Sequence, residues 1–235
     1  MIKQVGVLAL LLILWNGCAP KIGPGIATPK PSVVIDRYLE VIGGAAKLKK
    51  VHTLYLEGQA ELYGGTIHLI RYSQAPDKMR VILEAQRASK VRVLNDSLAF
   101  EVTQVGNIPV DGIGLKPMQW EAQLFPQLYY KERKTRLDLL GTELVSGQPA
   151  YKLKLTDANG DVRFEFYDQE TGLLVKMVDM IKSKTYYQDY REVGDVRFPF
   201  EVELVAANRG TSYVLDSVAL NPVIPSTVFE FNYDW

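Results

Sequence analysis

Chemistry has few places to start in this chain. His52 and His68 are its two histidines, and Cys18 is its one cysteine. Neither histidine has a cysteine or carboxylate at metal-ligand spacing, and no zinc, EF-hand or phosphate-loop motif occurs. Ser146-Gly147 lacks the flanking glycine of a nucleophile elbow. A Ser-His-Asp group assembled in space around His68 stays open as a remote hydrolase alternative, because such triads are not local in sequence. Asp157 and Asp161 flank Asn159-Gly160, which is turn chemistry first and a calcium loop a distant second. The chain is therefore expected to be no enzyme and to use neither metal nor cofactor. Lysine plus arginine total 27 and aspartate plus glutamate total 27, so the net charge is zero, which argues against a nucleic-acid partner. Lys131 to Arg136 carries four basic residues and one acid. A solvated face is the plain expectation there, and contact with lipid headgroups the functional one. Tyr129-Tyr130, Tyr186-Tyr187 and Tyr190 are expected to pack rather than to stack on sugars.

Cys18 draws its meaning from its place. Lys3 is followed by Val5 to Trp15, eleven residues without a charge, and then Asn16-Gly17-Cys18. A positive start, a short apolar run and small residues make an export signal, and eleven residues are too few to cross a bilayer core of about 30 Å. The Gly17-Cys18 step resembles the lipobox of bacterial lipoproteins. In that family the signal is cut before the cysteine, which is then acylated with chains such as palmitate. Trp15 stands where the family usually has leucine, and Leu14 lies one place earlier. The resemblance implies a signal over 1–17 and a membrane anchor at acylated Cys18. Ala19 takes the place of the aspartate linked to inner-membrane retention, so the expected location is the outer membrane, facing the periplasm. Pro20, Pro24, Pro29 and Pro31 make 18–31 a tether. At ~3.1 Å per residue in polyproline geometry it reaches roughly 40 Å.

The elements that follow have clear periods. Ile35, Leu39, Ile42 and Ala46 recur at helical spacing behind Ser32, a good N-cap, with Tyr38 alongside. Gly43-Gly44 breaks that helix. From Val51 the period is two: Leu54, Leu56, Gly58 and Ala60 share one face. Turns with Gly, Asn or Asp then follow at short intervals, and roughly ten or eleven antiparallel strands are expected. Asn107 to Pro117 reads as a Gly- and Pro-rich break, and Met118 to Tyr130 as an apolar helix kinked or split by Pro126. The fold class is mainly β (α+β): a strongly curved antiparallel half-barrel with helices capping its concave face, one domain over 32–235.

A hollow sheet of this kind either packs solid or holds an apolar ligand. The expected ligand-binding residues are Trp120, Leu124, Phe125, Leu128 and Tyr129 from the insert, as a lid. Leu54, Leu56, Phe164, Phe166, Phe198 and Phe200 are the expected lining.

The order of several segments carries a wider likeness. The helix Val33–Leu48 (VVIDRYLEVIGGAAKL) runs into Val51-His52-Thr53-Leu54. Tyr167-Asp168 precedes Glu170-Thr171-Gly172-Leu173-Leu174; Asp189-Tyr190-Arg191 precedes Gly194-Asp195-Val196-Arg197-Phe198-Pro199; Asn221-Pro222, Ile224-Pro225 and Phe229 close the chain. Over about 32–230 this resembles the outer-membrane lipoprotein-sorting, LolA/LolB-like superfamily. The resemblance implies an eleven-stranded half-barrel with a hydrophobic cavity for acyl chains of lipids or lipidated proteins. The anchored cysteine is closer to the LolB arrangement. An envelope scaffold or sensor that binds another envelope protein is the alternative, since a fold does not fix a task.

Overall fold

The computed structural model describes residues 29–62, 65–86, 88–206 and 209–232. Cys18, the signal and the tether up to residue 28 lie outside the described residues.

Helix α1 spans Pro31–Val41. It begins one residue ahead of the expected cap. Lys30 is the N-cap and Pro31 takes the first helical turn, where its missing N–H costs nothing and its φ is already set. Val34, Ile35, Tyr38 and Leu39 are its buried stripe. The chain leaves through Ile42 and Gly43, whose φ is +132°; a Cβ at Gly43 would sit 2.5 Å from the Asp195 carbonyl oxygen. A short helix α2, Ala45–Leu48, follows.

Thirteen strands then form one antiparallel sheet, two or three more than the turn spacing suggested. The first half runs β1 (Thr53–Leu62), β2 (Gly65–Gln74), β3 (Lys78–Ala85), β4 (Ala88–Asn95), β5 (Leu98–Thr103) and β6 (Gly106–Pro109). β6 is a four-residue exposed edge strand inside the segment read as a break. Next come helix α3 (Gly112–Glu121) and a 3₁₀ turn, Pro126–Tyr129. The expected helix over 118–130 is thus two pieces, parted just before Pro126, and α3 starts earlier than its apolar run. Pro117 lies inside α3 and removes the N–H that would reach back to Ile113, a residue left 73% exposed where water can serve its carbonyl. The second half runs β7 (Arg136–Val145), β8 (Gln148–Thr156), β9 (Val162–Asp168), β10 (Leu174–Val178), β11 (Lys184–Val193), β12 (Val196–Ala206) and β13 (Arg209–Leu220).

The order across the sheet is β6-β5-β4-β3-β2-β1-β13-β12-β11-β10-β9-β8-β7. The chain starts at the middle, walks to one edge, crosses to the other edge through α3 and the 3₁₀ turn, and walks back to the middle. Every pairing in the sheet therefore joins consecutive strands except β1–β13. The sheet is curved and does not close into a barrel, so the crossing segment lies over its concave side. There α1 and the crossing share one core: Val34, Ile35, Tyr38 and Ile42 meet Leu54, Leu56, Leu124, Leu153, Leu155, Tyr167 and Phe200. Met118 and Ala122 of the crossing cover Met79, Val81 and Leu94 beside it.

The convex side of β3–β5 is covered by the end of the chain. Arg80 donates to the carbonyls of Val228 (3.3 Å), Glu230 (3.2 Å) and Asn232 (3.1 Å), and Phe231 packs its ring 4.6 Å from that of Phe100. Asn221 starts this return. Its side chain accepts from the His52 N–H at 2.7 Å and donates to the Lys50 carbonyl at 3.0 Å. His52 thus serves through its backbone while its side chain is exposed.

The one seam between non-consecutive strands, β1–β13, has a close approach. At Gly58 the register shifts, and a Cβ there would lie 2.4 Å from the Val214 carbonyl oxygen and 2.8 Å from the Leu215 Cα. Both are backbone atoms of the facing strand, so nothing can move aside cheaply. Gly58→Ala should destabilise the protein by about 1–3 kcal/mol, the usual cost of overpacking. Urea unfolding checks this, and a loss under about 0.5 kcal/mol would show that the seam has slack.

Candidate functional site

The crossing segment does not fill the concave side. A cavity of about 180 Å³ remains between it and the sheet. Trp120, Leu124, Phe125 and Pro126 form its roof; Leu54, Leu174, Met177 and Phe198 form its apolar floor; Tyr38, Tyr187 and Tyr190 reach in from α1 and β11. Arg71, Glu121, Gln127 and Glu165 also touch it, so the walls are mostly greasy with a few polar groups.

Those polar groups hold the roof down at both ends. On the α3 side, Arg71 of β2 donates to the Glu121 carbonyl and, through Nε, to Ser73 Oγ at 3.0 Å. Ser73 is fully buried. Burial lowers the pKa of Arg71, and the neighbouring Glu121 carboxylate offsets part of that effect. On the turn side, Glu165 of β9 is fully buried and accepts from Tyr130 Oη at 2.5 Å, Tyr167 Oη at 2.5 Å and Gln127 Nε2 at 3.4 Å. Two of these three donors come from the crossing segment. Above them the Trp120 and Tyr130 rings stack at 6.0 Å, and the Arg163 guanidinium lies 3.3 Å over the Trp120 ring. Residues 122–126 lie between the two clamps, with Ala122 and Leu124 buried in the core.

Burial pushes the Glu165 carboxyl pKa up; the hydrogen bonds from Tyr130 and Tyr167 and the charge of Arg163 oppose that without cancelling it. Burial also raises Tyr130 and Tyr167 well above the usual phenol range, with the Glu165 charge adding to it. They remain hydrogen-bond donors at any physiological pH.

The expected site residues divide into three groups. Leu54, Trp120, Leu124, Phe125 and Phe198 line the cavity. Leu56, Leu128 and Phe200 lie in the same core, packed beside it. Tyr129 faces outward under Arg133, whose guanidinium is 5.4 Å from its ring. Phe164 and Phe166 need correction. They pack with Val145, Ala150, Val175 and Tyr186 on the opposite face, roofed by the Lys152 and Lys176 stems. The hairpin register decides it: Thr156 pairs with Val162, so Leu153 pairs with Glu165 and Lys152 with Phe166. Odd residues of β8 and β9 face the cavity. Glu165, not its aromatic neighbours, therefore points inward.

Other sequence candidates resolve simply. Asp157 Oδ1 accepts from the N–H of Asn159 (2.9 Å) and of Asp161 (3.0 Å), and Asp161 pairs with Lys116 at 2.6 Å, so this is a turn. It borders a polar hollow of about 300 Å³ with Arg133 and Arg163, where opposite charges neutralise each other. His68 is exposed on β2, across from Gln59 and Glu84, and does not touch the cavity. Among the described residues, no three His, Cys, Asp or Glu side chains gather to hold a metal ion.

No protein-family model and no curated protein matches the chain. Solved structures do match its fold. A DUF1329 family protein from Desulfovibrio piger has a TM-score of 0.58 at 12% identity, over 86% of this chain and 98% of that one. A LolA superfamily protein from Nitrosomonas europaea gives 0.57 at 9% identity, over 86% and 98%. A domain assigned to outer-membrane lipoprotein sorting in Vibrio parahaemolyticus gives 0.50 at 11% identity, over 83% and 97%. The curved sheet described above is thus the LolA-like fold that the sequence segments resemble.

A raised pKa on Glu165 carries a pH signature. A carboxyl whose folded pKa lies above its unfolded one, near 4.5, contributes stability that is complete at low pH and is lost as pH rises through the folded value. Glu165→Gln keeps the shape and removes the charge. The variant should gain on the wild type in thermal stability between about pH 5 and pH 8. A difference that stays flat over that range would mean the carboxyl titrates normally.

Proposed function

We propose that this chain is a non-enzymatic, lipid-anchored envelope protein whose concave chamber binds acyl chains of lipids or lipoproteins. The observation that carries this reading is an apolar hollow left beneath a crossing segment that buried Arg71 and Glu165 hold by hydrogen bonds near its two ends. A dedicated core would not need Arg71 and Glu165 at that depth, since each must be taken out of water and then satisfied. As hinge-and-latch groups they have a use.

The hollow, at about 180 Å³ and partly open to solvent, is below the ~300–1,000 Å³ of ordinary ligand sites. A long chain therefore requires residues 122–126 to swing away from the floor. Burying a sixteen-carbon chain contributes on the order of 10 kcal/mol before entropy losses. Breaking a charged hydrogen bond such as that from Arg71 to the Glu121 carbonyl costs about 1.5–3 kcal/mol. Chain burial exceeds the cost of releasing this one bond, so a loaded state is accessible.

The location follows from Cys18 in this reading. Its acyl chains anchor the protein in the outer membrane, and the proline-rich tether lets the chamber face the periplasm at roughly 40 Å reach. The basic run Lys131–Arg136 is exposed for most of its length and adjoins the lid, which suits approach to an anionic surface.

Two experiments test the reading. Native mass spectrometry of protein released gently from membranes should show co-purifying lipid. Arg71→Met, which removes the latch and keeps the bulk, should raise the retained fraction by about tenfold in binding constant. A lipid-free mass for both proteins would contradict it. Cys18→Ser should move the protein from the membrane to the soluble fraction, and unchanged sedimentation with membranes would remove the anchor.

A further inference from the structure

The small volume of the chamber has a cause in the lid itself. Leu124 is buried in the core under α1, and Phe125 lines the chamber beside it. Phe125 has φ 50° and ψ 60°. That left-handed conformation crowds the Cβ of any residue but glycine against the following carbonyl. The next residue is Pro126, and a proline drives its predecessor toward extended backbone. An aromatic, pre-proline residue holds such a conformation only when its surroundings over-determine it. Here they do. The Leu128 N–H bonds to the Phe125 carbonyl at 3.0 Å, Glu165 grips Gln127 and Tyr130 just beyond, and Arg71 grips Glu121 just before.

We propose that Phe125 is a built-in plug that sets which chain lengths the chamber takes: its ring occupies the room that the middle of a long acyl chain would fill. The proposal rests on the carrier reading above and goes beyond it by naming the residue that governs ligand length. Phe125 lines the same hollow as Leu54, Leu174 and Phe198, so a chain long enough to need the ring's place gains its own burial less the burial the ring gives up. The strained backbone tips that balance toward expulsion once the clamps let go. With the plug in place, the residual space is of the size that admits benzene in an engineered apolar cavity of ~150 Å³, hence about six to eight carbons.

The test uses the full chain carrying Trp235→Phe in lipid nanodiscs and brominated fatty acids; with Trp15 removed along with the signal, quenching then reports on Trp120 in the chamber roof. Acids of about 8 and 16 carbons are compared on the wild type, Phe125→Ala and Phe125→Gly. In the wild type the longer acid should gain less over the shorter than the burial of its added carbons would give. Both variants should raise the ratio of longer-acid to shorter-acid binding about tenfold over the wild type. Phe125→Gly should also melt roughly 2–4 °C above Phe125→Ala, because both lose the ring and only glycine relaxes at positive φ. This second comparison does not depend on any ligand, and equal melting temperatures would remove strain from the account. Quenching in all three proteins with an unaltered length preference would overturn the plug and leave the carrier reading standing. No quenching by either acid in any of them would overturn the carrier reading and the plug together.

Discussion

A sheet whose first and last strands meet in its middle must have its two edges joined by something, and that constraint organises this molecule. Because β1 pairs with β13, the edges are β6 and β7, and the chain between them has to cross the open side. The crossing cannot run through the sheet, so it runs over the hollow. There its apolar residues meet the buried stripe of α1. A lid over a greasy concavity is thus a consequence of topology before it is a device. The close approach at Gly58, which brings the two halves of the sheet together, is what makes the crossing obligatory.

What turns a crossing into a lid is the kind of bond that holds it. Packing alone would give a core that opens only by unfolding. Here the ends of the segment are held by directional contacts: a guanidinium on a carbonyl at one end, a buried carboxylate collecting a phenol and an amide at the other. Such contacts break singly and re-form. The stretch between them packs by apolar contact, which a hydrocarbon chain can replace. In the proposed reading, closing and filling thus rest on different contacts.

The sequence revealed the periodic parts of this structure and hid the parts that depend on long-range pairing. The stripe of α1, the glycine and asparagine turns, the alternation of β1 and the split at Pro126 were all legible because each is a local matter. Pro31 displaced Ser32 at the helix start for an equally local reason that was overlooked. β6 escaped notice because four exposed residues at an edge leave no alternation to read. The inversion of β9 is more instructive. Phe164 and Phe166 flank Glu165, and hydrophobicity alone places the rings inside. But β9 is covered on both faces, so alternation does not tell inside from outside there. Counting across the turn, with Thr156 opposite Val162, would have put Glu165 alongside Leu153. No such count was available for Arg71, because its partner lies 50 residues away on the lid.

The central claim is that the hollow under the lid is where a hydrocarbon chain sits. Photo-crosslinking tests it most directly. A palmitate carrying a photoreactive group along its chain is supplied to the full-length protein, and labelled peptides are mapped by mass spectrometry. The account places the label on the lid around Leu124 and Phe125 and on floor residues such as Leu174 and Phe198. Label confined to the convex face, or spread without preference over the surface, would contradict it.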